Sequence, residues 1–388
     1  MKIALLSEKY TPDIGGLAIS AERLARLLAS AGHDVHVFAP TPSTVLRASL
    51  SLSPSEMRTL ASSGVSVTRF GARKRVDDTL VDWFELIVEE HRRESFDVFH
   101  AYFLTQAGFV AAFAGNYLDV PSVVSARGND IERAIFDPSR AAHVLYALEH
   151  ANAVTTNANE LAKKARALIP GLEVTVIPNG IDTDHFRPLP RNNMLAESLG
   201  LINETARVIG FAGELREKKG LRSLLSAYAQ VNKKKPAVLL IVGDVRAGED
   251  KQIFEEFRLS NPDAKIVITG FVSQNDLPVY YSLMDVFVHP SLRDGLPNAL
   301  LEAMACEKAV IATPVGGIPD TVSDCENGRV VRTNDADELA ETIDELLADE
   351  SIRAKLGKAA CQTIAKKFTI QAELGTNLAL YRRLGIKV

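Results

Sequence analysis

HPSLRDGLPNALLEAMACEKAVIATPVGGIPD, residues 289–320, runs in quick succession through a strand end, a polar loop, a short helix, a second strand and a glycine loop. Met284 to His289 (MDVFVH) and Ala309 to Ala312 (AVIA) have the continuous apolar character of strands buried on both faces. Pro297 suits the first turn of the intervening helix, where its missing N–H removes no bond. A helix therefore starts beside the carboxyl end of a strand, the edge at which open α/β sheets bind ligands, and its free N–H groups and positive dipole end suit phosphate. Asp294 precedes that helix start, and Glu302 lies further along, with Asn298 one turn earlier on the same face. Spacing alone leaves two readings open: acids serving a site, or a dipole-favouring Asp294 and a solvated Glu302.

Outward from this stretch, the chain has 388 residues, enough for two domains of ordinary size. Its net charge of −5 and its globular composition give no sign of a nucleic-acid surface. Cys306, Cys325 and Cys361 form no metal-like or redox pair, which makes a reducing cytoplasm the simplest setting. The opening apolar run is too short for a signal peptide, and no run approaches the roughly 20 residues that span a bilayer. Peripheral contact with the inner face of a membrane stays open.

Strands are expected at Lys2–Leu6, Val35–Ala39, Val65–Phe70, Asp97–Ala101, Ser122–Ser125, Ala153–Thr156 and Val174–Ile177. Helices are expected at Leu17–Ala31, Pro54–Ser63, Thr79–Glu94 and Asn159–Leu168. This alternation implies a mostly parallel sheet wound on both faces. Residues 191–204 read as polar linker, after which strands at Arg207–Ala212, Ala237–Val242, Lys265–Thr269 and Gly328–Val331 begin and continue a second sheet. Helices at Leu221–Val231, Asp250–Leu259, Asp335–Ala348, Ser351–Lys367 and Ile370–Leu384 complete it. The predicted division is 1–188, completed by 370–388, and 189–369.

Several local patterns exclude other classes. No Gly-x-Gly-x-x-Gly and no Gly-Lys-Ser/Thr phosphate loop occurs, so NAD enzymes and P-loop ATPases fit poorly. Arg69, Arg73, Lys74 and Arg75 form a basic cluster, but Asp77 and Asp78 follow at once, as in a solvated loop. Asp182-Thr183-Asp184 spells a metal-binding triplet inside a Pro-Asn-Gly turn and reads as accidental.

Asp294-x7-Glu302 followed by Pro314-Val315-Gly316-Gly317-Ile318-Pro319 resembles the acid-x7-Glu region of retaining glycosyltransferases of the family 4 type, the group 1 glycosyl transferases. Three further stretches carry the resemblance: Tyr10-Thr11-Pro12-Asp13-Ile14-Gly15-Gly16, Pro178-Asn179-Gly180-Ile181-Asp182 with Phe186 and Pro188, and Gly213 to Gly220. The resemblance implies the GT-B fold: two Rossmann-like doubly wound domains facing a central cleft, with the C-terminal helix returning to the first. It implies transfer from a nucleotide diphosphate sugar as co-substrate, without metal or other cofactor, to an acceptor that the sequence leaves unidentified; oligomeric state is likewise open. Lys219 matches the family lysine that grips the donor diphosphate, whereas Glu214 stands where the family has arginine. A carboxylate about 4 Å from phosphate is repelled by roughly 4 kcal/mol at an effective dielectric of 20, so Glu214 must point away, pair with a base or contact a hydroxyl. Arg216 is the natural substitute.

The resemblance further places Gly15, Gly16, Gly213, Gly270, Phe271, Val272, Gly295, Leu296, Pro297 and Asn298 on the donor, with Glu302 on the ribose and Asp294 on the transferred sugar. His100, Arg127 and Asp130 fall on the sugar or acceptor side. The family commonly has His-Gly-x-Asp where this chain has Arg127-Gly128-Asn129-Asp130; arginine donates hydrogen bonds but does not give up its proton at neutral pH. Two acids beside a sugar also suggest a glycosidase, but the family roles of both lie in donor binding. The departures at Arg127 and Glu214 keep two alternatives in view: a catalytically inactive nucleotide-sugar-binding protein and a GT-B nucleotide-sugar epimerase.

Overall fold

The computed structural model describes residues 1–13, 15–41, 58–60, 64–71, 76–201 and 207–388. The chain divides into two compact units, Met1–Asn179 with Gln371–Val388, and Gly180–Ile370.

In the first unit the strands are β1 (Lys2–Ser7), β2 (Asp34–Pro40), β3 (Arg58–Leu60), β4 (Val65–Phe70), β5 (Val98–Tyr102), β6 (Ser122–Ala126), β7 (Ala153–Thr156) and β8 (Val174–Val176). They pair in the order β3-β4-β2-β1-β5-β6-β7-β8. All these pairs are parallel except β3 on β4. Arg58–Leu60 thus lies in an edge strand, not in the helix expected over Pro54–Ser63; the remainder of that stretch, with Ile14, Arg73, Lys74 and Arg75, lies outside the described residues. A helix at Pro138–His150 adds to the sequence reading. Its signal is plain in retrospect, since Asp137 accepts the Ser139 N–H at 3.0 Å and proline opens the first turn.

The second unit comprises β9 (Arg207–Ala212), β10 (Ala237–Val242), β11 (Lys265–Ile268), β12 (Val286–His289), β13 (Ala309–Ala312) and β14 (Arg329–Val330). They run parallel in the order β11-β10-β9-β12-β13-β14. β10, Ala-Val-Leu-Leu-Ile-Val, is buried along its whole length, as a strand covered on both faces must be. Within the expected linker, Asn193–Ser198 forms a short helix capped by the Asn192 side chain on the Leu195 N–H at 2.9 Å.

The division falls earlier than the expected residue 188. Ile181 bridges to Thr369, and Phe186 enters the core of the second unit with Tyr281 and Phe287, so 180–188 fold with it. The last helix, Ile370–Arg383, packs almost entirely on the first unit: Tyr381 is fully buried and bonds His100 Nδ1 at 2.6 Å, and Glu373 pairs with Arg23 at 2.8 Å. Among the described residues no helix is long and apolar enough to cross a membrane.

Candidate functional site

In the second sheet the connections run from β9 outward to β10 and β11 on one side, and to β12, β13 and β14 on the other. The order therefore reverses between β9 and β12, and the loops leaving their carboxyl ends part there, which is where open α/β sheets hold ligands. β9 continues through Gly213, Glu214, the fully buried Leu215 and Arg216 into one 3-10 turn, Glu217–Lys219, and the helix Leu221–Lys234. β12 continues through Asp294 to Pro297, which stands just before the helix Asn298–Ala305.

These loops interlock. Leu292 donates its N–H to the Lys218 carbonyl at 2.9 Å. Gly220 takes φ 80° and lies so near Pro290 that a side chain there would collide with the Pro290 carbonyl. Gly316, at φ 59°, is pressed in the same way against the Asp294 carbonyl, and the Gly317 N–H bonds the Gly295 carbonyl at 2.6 Å. The Pro-Val-Gly-Gly loop thus fixes the height of Asp294 and Gly295. Gly220→Ala is expected to cost about 2 kcal/mol from the left-handed backbone alone, and more from the collision; unfolding midpoints unchanged from wild type would contradict this packing.

Asp294 is the hub. Its Oδ2 pairs with Lys219 Nζ and accepts from His289 Nε2 at 2.9 Å and Ser291 Oγ at 3.2 Å, while Oδ1 takes the Gly295 N–H at 3.1 Å. The Asp294 and Lys219 side chains are 13% and 20% exposed. Burial alone raises the Asp294 carboxyl; the Lys219 ammonium and the His289 bond outweigh it and hold the group well below the ordinary carboxylate range. His289 is pushed down, chiefly by burial and against the pull of Asp294, and its buried Nδ1 has no partner. Both facts fit a neutral imidazole that carries its proton on Nε2 and donates it to Asp294.

Glu302 is 4% exposed and accepts from Tyr281 OH and Gln274 Nε2, each at 2.8 Å. Arg216 Nη1 lies 3.3 Å from Glu214 Oε2, and the buried Arg216 Nε has no partner. Of the courses open to Glu214, pairing with a base is the one taken. Gly270, Phe271 and Val272 follow β11 at the same sheet edge, with Phe271 73% exposed.

The remaining candidates belong to the first unit. Gly15 precedes the helix Gly16–Ser30, which Gly16 opens. His100 is a correction: β5 extends to Tyr102, so His100 is fully buried within the sheet, its ring nitrogens on Tyr381 OH and, at 2.9 Å, Ser125 Oγ. It has no atom left for a ligand. Asp130 is also buried and committed, capping the Arg127, Gly128 and Ile131 amides; burial, opposed by those bonds, pushes its carboxyl up to about 6. The Arg127 guanidinium stacks on Tyr102, 3.7 Å from the ring centre, and donates to Asn179 Oδ1 at 3.1 Å. Among the described residues no three His, Cys, Asp or Glu side chains gather so as to hold a metal ion.

Sequence reasoning missed His289, Tyr281 and Gln274, which position the two acids, and Glu8 in the first unit. A charged residue one step past an apolar strand was the available signal for Glu8.

Residues 14–185 match Glycosyltransferase Family 4, and residues 198–363 match Glycosyl transferases group 1. The chain belongs to this glycosyltransferase family and has its GT-B fold. It is 32% identical over 222 residues to the capsular polysaccharide biosynthesis glycosyltransferase CapM of Staphylococcus aureus, a match covering 56% of this chain and 55% of CapM. Identity to the N-acetyl-alpha-D-glucosaminyl L-malate synthase of Bacillus anthracis is 23% over 360 residues, covering 92% of this chain and 91% of that one. Among solved structures, Anabaena Alr3699/HepE in complex with UDP superimposes with a TM-score of 0.80 at 21% identity, over 99% of this chain and all of that one.

Proposed function

We propose that this glycosyltransferase moves a sugar from a nucleotide diphosphate sugar to an acceptor hydroxyl, with retention at the anomeric carbon and without a metal. The observation carrying this reading is the Lys219–Asp294 pair at the point where the second sheet reverses. An ammonium held there by one carboxylate is a preformed site for an anion: a diphosphate brings a second negative partner, and Lys219 needs no new position to meet it. Arg216 and the positive end of the helix that starts at Asn298 would add to the attraction as charge builds on the leaving group. Glu302, fixed by Tyr281 and Gln274, is oriented to accept from ribose hydroxyls, and Asp294 Oδ1 from the sugar. In the transfer step the bond from the anomeric carbon to the phosphate oxygen breaks and the acceptor oxygen bonds to that carbon. The acceptor's proton passes to the departing diphosphate. That Alr3699/HepE has been solved with UDP and with UDP-glucose supports a nucleotide-sugar donor.

Titration calorimetry with UDP, GDP and ADP, then mass spectrometry of products formed from pooled nucleotide sugars and cell extract, tests the reading. Absence of nucleotide binding and of sugar transfer would overturn it. The Glu214–Arg216 pair favours one second reading, a nucleotide-sugar-binding protein without turnover, which the same experiment reveals as tight binding and no product. If Arg216 serves the diphosphate, Arg216→Ala lowers kcat/KM for the donor by about 100-fold, the scale of a lost charge-assisted bond, and Glu214→Ala far less. The reverse ranking, read from steady-state kinetics, would remove Arg216 from the site.

A further inference from the structure

The first sheet has its own reversal, between β1 and β5. At that edge Glu8, the first charged residue after β1, is set against the turn that follows β5. Its Oε1 accepts from Thr105 Oγ1, from the Gln106 N–H at 2.7 Å and, at longer range, from the Ala107 N–H. All three donors fall on one oxygen. Among the described residues Glu8 Oε2 has no hydrogen-bond partner, and the same side chain lines a cavity with Thr105, Gln106, Arg140 and His143. Among the described residues the Gln106 side-chain amide is likewise unpartnered. Burial raises the Glu8 carboxyl, against the three donors and Arg140.

Resting on the transferase reading above, we infer that Glu8, Gln106 and Arg140 form a subsite for the hydroxyl groups of a neutral polyol or sugar acceptor. The charges of the cavity select for neutrality. An ammonium attracted to Glu8 meets the Arg140 guanidinium in the same wall, and a carboxylate or phosphate attracted to Arg140 meets Glu8. A hydroxyl satisfies both sides, donating to Glu8 Oε2 and accepting from Gln106 or Arg140. His143, whose ring lies 4.7 Å from that of Phe109 and tilted 55° to it, adds an aromatic wall to the cavity against which the C–H groups of a sugar can pack.

Glu8→Gln isolates the free oxygen. The amide carbonyl still accepts from Thr105 and the two N–H groups, while an NH2 replaces Oε2 and turns an acceptor into a donor. Saturation-transfer NMR on the full chain, with myo-inositol and methyl glucoside as neutral probes, glucosamine as cation and malate as anion, reads the subsite. The neutral probes bind wild type, and Glu8→Gln weakens them by about tenfold, one lost hydrogen bond. Arg140→Gln, on a half-exposed helix position, weakens them in the same direction, and Lys219→Ala leaves them bound. No neutral probe binding to wild type, binding indifferent to Glu8→Gln, or capture of glucosamine or malate alone would each overturn the inference. Neutral probes bound by a protein that fails to bind any nucleotide would leave the subsite standing and sink the donor reading instead.

Discussion

In the Lys219→Ala variant, turnover of the nucleotide-sugar donor falls by about 1,000-fold, the scale of removing one preorganised charge from a developing oxyanion. Two effects add. The ammonium that would meet the departing diphosphate is gone, and Asp294, held in place by His289, Ser291 and the Gly295 amide, keeps its negative charge with no cation beside it. A carboxylate about 4 Å from phosphate at an effective dielectric of 20 is repelled by roughly 4 kcal/mol, so nucleotide affinity falls along with the rate. Adding Asp294→Asn to Lys219→Ala removes that repulsion and recovers part of the UDP affinity but little of the turnover. Calorimetry and donor kinetics separate the two effects. A loss of turnover below about fivefold, roughly 1 kcal/mol in the barrier, would take Lys219 out of the reaction.

What the sequence made legible was whatever depends on neighbours in the chain. β10 and β13 follow from runs of apolar residues, and the helix start after Asp294 from a proline ahead of an apolar stretch. The pairing of Lys219 with Asp294 spans 75 positions, and no local pattern encodes it; only the parallel placement of β9 beside β12 brings the two loops together. His100 shows the opposite failure. The resemblance put His100 on the sugar or acceptor side, yet the strand runs on to Tyr102 and holds it inside the sheet, where the terminal helix supplies Tyr381 from 281 positions away. Glu8 carried a signal in its place just past a strand, but its partners could not be read because they come from the turn after β5. The family resemblance located both loops of the second unit; it did not reveal that Glu214 answers Arg216 or that three side chains converge on a single oxygen of Asp294.

Asp294→Asn destabilises the second unit by about 3 kcal/mol, because breaking one side of a largely enclosed ion pair leaves the Lys219 charge without its counterion. For a unit of this size that corresponds to a fall of about 6–12 °C in Tm. The effect has a sign in pH that an ordinary packing defect lacks. The folded Asp294 carboxyl is held below its unfolded value, so the stability it contributes is fully present above about pH 4–5 and is lost as pH falls toward the folded value. The gap between wild type and Asp294→Asn is therefore widest at neutral pH and narrows in acid. Lys219→Met combined with Asp294→Asn replaces the pair by groups of similar size and no charge, and returns most of the lost stability, since neither partner is then left buried and alone. Denaturant titrations of the two single variants and the double variant at neutral and acid pH measure this directly. Additive losses with no pH dependence would mean that Lys219 and Asp294 stabilise the unit independently, and the anion site would then lack the preformed charge on which the transfer chemistry depends.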